Sequence, residues 1–269
     1  MSRITSQISS SADAALRLIA GSLCSVALIS SVAADEAAKE KSAEFKIEVK
    51  TESSFSTENK SQPTAADFRA KAEKGDAEAQ YNLAVSCERG DGVKADRKVA
   101  YQWYCKSAAQ GFAAAQNMVG AYLLNGIAVP QDQAAAVEWF RKAAAQNDAR
   151  AQHNLGVCYE EGLGVAKDPA QAFEWYRKSA EQGNAEAQTN IGACFMNGVG
   201  TEKNPEVAVE WFRKAAEQGD AVGQFNMALC YANGIVVKAD ANAAAKWAEK
   251  AAKQGHKDAA KLLNQLKNK

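Results

Sequence analysis

The fold is decided by residues 148–183, which read DARAQHNLGVCYEEG, LGVAK and DPAQAFEWYRKSAEQG in succession. The first and third of these segments have the apolar spacing of amphipathic helices. Asp148 and Asp168 precede the two segments, where a carboxylate can accept the unpaired N–H groups of a first helical turn. Gly162 and Gly183 follow them, because glycine tolerates the left-handed conformation that ends a helix. We therefore predict two antiparallel helices joined by a loop of about five residues.

This pattern recurs at an interval of 36 residues along most of the chain. Three series of identical residues keep that interval: Trp103, Trp139, Trp175, Trp211 and Trp247; Gln80, Gln116, Gln152, Gln188 and Gln224; Gly90, Gly126, Gly162, Gly198 and Gly234. In a fourth series, Gly111, Gly183, Gly219 and Gly255, Asn147 takes the place of the missing glycine. Several registers locked to one interval indicate stacked copies of one supersecondary unit.

The interval predicts an all-α fold, a right-handed α/α solenoid of five 36-residue helix-turn-helix repeats. A single hairpin cannot bury its large rings, whereas stacked hairpins can. The predicted repeats are residues 76–111, 112–147, 148–183, 184–219 and 220–255. Residues 63–75 and 256–269 are predicted as capping helices that cover the apolar faces of the end repeats.

One register of the first helix is always occupied by a very small residue. Gly156 corresponds to Ala84, Gly120, Gly192 and Ala228 in the other repeats. A side chain this small lets the facing helix approach closely, so we expect the two helices of each repeat to be in tight contact there.

The repeated residues resemble the Sel-1-like repeat, a relative of the tetratricopeptide repeat. Residues 151–165 and 168–183 match the two parts of its pattern nearly in full. The first part is Ala-Gln-x-Asn-Leu-Gly-x-x-Tyr-x-x-Gly-x-Gly-Val, and the second is Asp-x-x-x-Ala-x-x-Trp-Tyr-Arg-Lys-Ala-Ala-x-Gln-Gly. The resemblance covers residues 76–255 and implies an α-solenoid that serves as an adaptor in protein complexes, often exported in bacteria. The second repeat departs from the pattern, with Phe112 at the N-cap, Met118 for Asn, and Val129-Pro130 in the loop.

The first 62 residues differ in composition from the repeats. Residues 1–34 contain Arg3 and Arg17, then an apolar run of about 15 residues, and they end in the small residues Ala33-Ala34. This order is typical of a secretory signal peptide, in which small residues precede the cleavage site. We therefore predict an exported protein, periplasmic or secreted, with membrane attachment only if this segment is not cleaved. Residues 35–62 are rich in Glu, Lys, Ser and Thr and are predicted to be a disordered linker.

The charge and histidine content argue against several classes of ligand. Lys plus Arg and Asp plus Glu each total 32, so the net charge is zero and no basic field favours nucleic acid. There are only two histidines, His153 and His256, and no Cys-x-x-Cys. We predict no metal site and no cofactor.

Five cysteines lie beyond the predicted signal segment. Cys158, Cys194 and Cys230 occupy one register of consecutive repeats, where helices about 8–10 Å apart are too distant for a disulfide. These three are predicted to be small buried residues. Cys87 and Cys105 fall out of register within one hairpin, so a free or intermolecular thiol is favoured there and no disulfide is assigned.

An enzymatic alternative comes from the cysteine-rich branch of the family, which has been described as β-lactamase-like. A β-lactamase-like hydrolase or penicillin-binding protein uses a Ser-x-x-Lys nucleophile motif and a Lys-Thr-Gly motif. The repeats contain no Ser-x-x-Lys, and the chain contains no Lys-Thr-Gly. We therefore predict no catalytic residue and treat His153 as a variable surface residue and His256 as a helix cap.

The candidate binding surface is the concave side of the solenoid, which the first helices are expected to line. Two neighbouring registers are predicted to face outward and contact a partner: Tyr81, Asn117, His153, Thr189 and Phe225, which vary, and Asn82, Asn154, Asn190 and Asn226, which repeat. Side-chain amides can pair with the backbone of an extended peptide. An equal alternative is that these Asn side chains bond within the solenoid. A row of lysines on the second helices, Lys106, Lys142, Lys178, Lys214 and Lys250, is expected to be a solvated outer face. The sequence thus predicts a non-enzymatic scaffold that binds a protein or peptide.

Overall fold

A computed structural model describes residues 64–268 of the chain, and within that range it contains twelve α-helices and no β-strand. The predicted signal segment 1–34, the predicted linker 35–62 and residue 63 lie outside the described residues. No helix in the described range is both long enough and apolar enough to cross a bilayer. The all-α fold predicted from the 36-residue interval is confirmed.

The described residues divide into two compact units, 64–167 and 168–268, which we call the N-terminal and C-terminal units. The N-terminal unit consists of six helices: α1 (Ala65–Ala72), α2 (Ala77–Arg89), α3 (Arg97–Ala109), α4 (Ala113–Asn125), α5 (Gln133–Ala144) and α6 (Ala149–Glu161). The first of these stands where the N-terminal capping helix was predicted. Helices adjacent in sequence pack against each other, as expected for stacked hairpins.

The C-terminal unit has the same construction. Its helices are α7 (Pro169–Glu181), α8 (Ala185–Asn197), α9 (Pro205–Glu217), α10 (Ala221–Asn233), α11 (Ala241–Lys253) and α12 (Lys257–Lys267). The last helix stands where the C-terminal capping helix was predicted, and it packs mainly on α11. The helices that come first in the predicted repeats, α2, α4, α6, α8 and α10, are called the first helices below.

The helix ends form where the sequence places its caps. The Asp148 side chain accepts from the backbone N–H of Ala151, and the Asp168 side chain caps α7 in the same way. Phe112 precedes α4 without any side-chain cap, as its apolar ring requires. Asn147 has φ +62°, which explains why an asparagine can replace glycine in that series.

Close approach between the two helices of a repeat depends on the small register. A Cβ atom on Gly120 would lie 2.6 Å from the ring of Phe140, and one on Gly192 would lie 2.7 Å from the ring of Phe212. Both phenylalanines are fully buried. The predicted tight contact is therefore confirmed at these two glycines, where no larger residue fits without displacing a core ring.

The repeated glutamines bind three successive helices together. In the C-terminal unit, the Gln188 side chain donates to the Ala180 carbonyl at 3.2 Å and accepts from the Gln218 side chain at 2.7 Å. The same two bonds recur at Gln80, Gln116 and Gln224. Each of these glutamines is buried, and protein groups satisfy both of its amide atoms in place of water. We call this arrangement the glutamine staple.

The cysteines in the described range form no disulfide with one another. Cys158, Cys194 and Cys230 are buried, as predicted from their shared register, and so is Cys87. Cys105 is half-buried. Burial raises the pKa of Cys158 and of Cys230 to about 12, so both thiols are neutral at physiological pH.

Candidate functional site

The structure buries most of the predicted binding residues. Seven of the nine are buried in the described chain: Tyr81, Asn117, Asn154, Thr189, Asn190, Phe225 and Asn226. Only Asn82 and His153 are half-exposed. The outward placement predicted for these two registers is therefore wrong for seven residues, because neighbouring helices cover this side of each first helix.

The varied register faces the following helices. The Tyr81 ring lies 5.4 Å from the ring of Phe112 and 5.6 Å from that of Tyr104. The Thr189 hydroxyl donates to the Asp220 carboxylate at 2.7 Å. The contacts with Phe112 and Asp220 join one repeat to the next, so the variation at this register reflects different ways of making the same junction.

The asparagine register also takes part in packing. The Asn154 amide donates to the side-chain oxygen of Asn117 at 2.9 Å, and both residues are buried. For Asn154, the alternative in which the asparagines bond within the solenoid is therefore confirmed. Asn226 differs, because it is 0% exposed and neither its amide nitrogen nor its oxygen has a hydrogen-bond partner. A buried amide without partners is unfavourable, and it makes Asn226 the least satisfied member of the row.

The accessible side of the first helices falls at two other registers. Both are at least partly exposed in all five helices: Glu78, Ala114, Arg150, Glu186 and Val222 near the N-terminal ends, and Arg89, Asn125, Glu161, Asn197 and Asn233 at the C-terminal ends. The two registers are 11 residues apart, about three helical turns, so they lie on the same side of each helix. We call them together the first-helix face. The sequence alone did not indicate this face, because exposure depends on which side of each helix its neighbours cover.

The first-helix face carries acidic and basic side chains, and one of its carboxylates lacks a hydrogen bond. One carboxylate oxygen of Glu161 is buried without a hydrogen-bond partner. Burial, aided by the charge of Glu160, raises the pKa of Glu161. Asparagine at the same register avoids this problem, since the Asn125 and Asn233 amides donate to the carbonyls four residues earlier.

The predicted outer row of lysines is exposed, as expected. Each lysine places its ammonium 3.8–4.2 Å from the ring centre of the tryptophan three residues earlier. A cation over an aromatic face stabilises a helix surface by about 0.5–1 kcal/mol. The conserved spacing of Trp and Lys in this chain is thus accounted for by packing on the second helices.

The two histidines lie in different units and have different surroundings. His256 caps α12, accepting from the Ala259 N–H at its Nδ1, and its ring lies 4.5 Å from that of Phe225. Burial lowers the pKa of His256, which favours the neutral imidazole that this cap requires. His153 lies on α6, half-buried. Within residues 64–268, no three His, Cys, Asp or Glu side chains are grouped so that they could hold a metal ion.

These features define a class of protein, the helical-repeat solenoids built from antiparallel helix pairs. A model of the Sel1 repeat matches residues 77–112, 113–148, 149–184, 185–220 and 221–256. The chain belongs to the Sel1 repeat family. The matched repeats each begin one residue later than those predicted from the glycine series.

Solved structures of the same family resemble the chain. A Sel1 repeat protein from Oxalobacter formigenes is 34% identical, covering 76% of this chain and 87% of that chain, with a TM-score of 0.66. A protective antigen present in uropathogenic Escherichia coli strains, which displays an SLR fold, is 35% identical over 76% of this chain and 44% of that chain, with a TM-score of 0.67. A Sel1 repeat protein from Klebsiella pneumoniae subsp. pneumoniae, at 18% identity and a TM-score of 0.52, shares the fold, covering 76% of this chain and 99% of that chain. Among curated proteins, no match to the chain was found.

Membership of this family carries a coarse functional meaning. Sel1 repeat proteins typically act as scaffolds for protein–protein interactions and are generally not enzymes. None of the similar proteins supports the β-lactamase-like alternative.

Proposed function

We propose that this protein is a non-enzymatic scaffold that binds a peptide or protein on the first-helix face within each of its two units. The repeats leave that face accessible on helices whose other sides are held in place by neighbouring helices. A rigid surface loses little conformational entropy on binding, so repeated modest contacts can add up to useful affinity. The zero net charge favours a protein or peptide over nucleic acid as the partner.

The observation that carries the proposal is a contrast between two registers of the first helices that lie two residues apart. The buried register of the glutamine staple is Gln in all five first helices. Two residues before it, the accessible register holds an acid, a base or an apolar residue, namely Glu78, Ala114, Arg150, Glu186 and Val222. A constant framework with varied accessible residues suits a surface that selects its partner by side-chain chemistry.

The residues first predicted as the binding surface keep a part in this proposal. Asn82 and His153 are half-exposed and can contact a partner directly. The seven buried members of those registers fix the spacing of the first helices, and so act by holding the first-helix face in shape. Replacing them would test stability more than recognition.

The test is a selection of peptides from a random display library on the purified full chain. Peptides that bind wild type should lose about tenfold or more in affinity for Arg150→Glu, which reverses a charge on the first-helix face. Arg213→Glu makes the same charge change on the exposed side of α9, a second helix, and should leave the affinity unchanged. Equal losses in both variants, or no selectable peptide, would count against the proposal.

We further propose that the protein is exported to the periplasm or secreted, with residues 1–34 removed. The Arg residues, the apolar run and the small residues at 33 and 34 support this. Mass spectrometry of the N-terminal peptide from the native host should find a chain that begins at Asp35. A chain that still contains residues 18–34 would indicate an uncleaved membrane anchor instead.

A further inference from the structure

One carboxylate in the N-terminal unit is held by two tyrosines from two other helices. Glu88, near the end of α2, accepts a hydrogen bond from the Tyr104 hydroxyl of α3 at one oxygen and from the Tyr122 hydroxyl of α4 at the other, both at 2.8 Å. Burial raises the pKa of Tyr104 and of Tyr122, and the charge of Glu88 raises both further, so both phenols stay protonated donors. The carboxylate is thus fixed in direction while remaining half-exposed.

The same cluster presents aromatic rings beside the carboxylate. The Tyr101 ring stacks on that of Tyr122, with centres 5.7 Å apart and planes 22° from parallel. Tyr104 and Tyr122 are fully buried, whereas Tyr101 is half-exposed. Glu88 forms no ion pair with any residue in the described range. The result is a half-exposed carboxylate held by two phenols, without an ion-pair partner among residues 64–268.

The fold itself does not require this carboxylate. At the register of Glu88, Leu124 is 2% exposed and Met196 is 0% exposed, so an apolar side chain packs there in other repeats. Glu160 is the one other acid at that register, and Cys194 in the following repeat takes the place that Tyr122 has relative to Glu88. Among these repeats, only Glu88 therefore combines a carboxylate at this register with both phenols, one from its own repeat and one from the next.

We propose that Glu88, together with the Tyr101 ring that stacks on Tyr122, binds the guanidinium group of an arginine side chain on the partner. This inference rests on the proposed function, because it supplies the chemistry by which the scaffold would recognise one residue of a peptide. A guanidinium is planar and weakly hydrated, donates two parallel hydrogen bonds to a carboxylate and lies favourably against an aromatic face. The two phenols pre-orient the carboxylate, which lowers the entropy lost on binding.

The experiment titrates the full chain, with carbon-13 labelled tyrosine rings, with the tripeptide acetyl-Gly-Arg-Gly-amide. The matched probe carries citrulline, which has the shape of arginine without its charge. Saturable shifts of the Tyr101 and Tyr122 ring signals are expected with arginine only, and they should weaken as salt is added. Equal shifts with the citrulline peptide would overturn the proposal.

Glu88→Gln preserves the size of the side chain and removes its charge, and should weaken arginine binding about tenfold or more. Glu160→Gln is the matched control at the same register of the third repeat and should bind as wild type does. An unchanged affinity in Glu88→Gln, or an equal loss in both variants, would overturn the assignment. If Glu88→Gln does not fold, as judged by near-UV circular dichroism, Tyr101→Ala should show a several-fold loss, and unchanged binding in it would overturn the proposal.

The two proposals fail in different ways. Library peptides that bind the first-helix face without arginine, together with no response to the tripeptide, would remove the arginine site and leave the scaffold function standing. A response to the tripeptide with no selectable library peptide would support the Glu88 site and count against the scaffold.

Discussion

The asparagines at one register of the first helices contribute differently to folding stability because their neighbours differ. Asn154 has a partner in Asn117, whereas Asn226 is fully buried with both amide atoms unpaired. Leaving a buried amide unpaired costs about 1–3 kcal/mol. Met118 shows that this register accepts an apolar side chain of similar length, since it is 2% exposed in the second repeat.

Asn226→Met is expected to raise the free energy of unfolding by about 1–2 kcal/mol, because it removes an unsatisfied polar group and adds buried apolar area. Urea denaturation followed by circular dichroism measures the change. Asn154→Met is the matched control and should lower stability by about 1 kcal/mol or more, because it leaves the Asn117 oxygen unpaired. A loss of stability in both variants would show that Asn226 has a partner after all.

At the scale of one element, the C-terminal capping helix α12 begins at a titratable cap. The neutral His256 imidazole accepts from the Ala259 N–H, and a protonated ring cannot do so. Burial lowers the pKa of His256 below its ordinary value near 6.5, against the opposing charges of Asp258 and Asp220. The stability that comes from this cap is therefore complete above about pH 6.5 and is lost as the pH falls through the lowered pKa.

His256→Asn replaces this cap with one that does not titrate between pH 5 and 7.5, as the caps of α8 and α9 already show. The stability of wild type relative to the variant should decline by up to about 1 kcal/mol as the pH falls across that range. Guanidinium denaturation of both proteins at a series of pH values measures the difference in their free energies of unfolding. Because both proteins have the same carboxylates, the titration of those carboxylates cancels in this difference. A difference that stays constant with pH would contradict this role of His256.

At the scale of the whole molecule, stability in a repeat protein comes from contacts between neighbours, and the glutamine staple is the most regular of these. Gln188 joins α7, α8 and α9 of the C-terminal unit through its two side-chain bonds. Because each staple contacts only the three successive helices that it joins, loss of one staple should destabilise those helices before the others.

Gln188→Ala is expected to lower the free energy of unfolding by about 2 kcal/mol, because the buried Ala180 carbonyl loses its side-chain donor. Hydrogen exchange should accelerate first in α7, α8 and α9 and only later in α11 and α12. Gln171→Ala removes an exposed glutamine of α7 and should change stability by less than about 0.5 kcal/mol. Uniform acceleration across the unit would argue against a local role for the staple.

The interval of 36 residues in the sequence was sufficient to predict the fold. Local backbone geometry accounts for the cap at Asp148 and for the left-handed conformation of Asn147. One repeated contact between helices accounts for the small residue at Gly120. Local rules of this kind act within a few residues, so they can be read along the chain. The helices they predict within the five repeats are those of the structure.

The candidate binding surface was decided by tertiary structure. The sequence indicated that Tyr81 and Asn154 lie away from the core of their own helix pair, but neighbouring repeats cover them. Likewise, Glu88 gains its two phenols only because α3 and α4 bring Tyr104 and Tyr122 to it from 16 and 34 residues away. Periodicity in a sequence reports which side of a helix is apolar, whereas exposure and hydrogen bonding depend on the side chains that neighbouring helices supply across the gap between them.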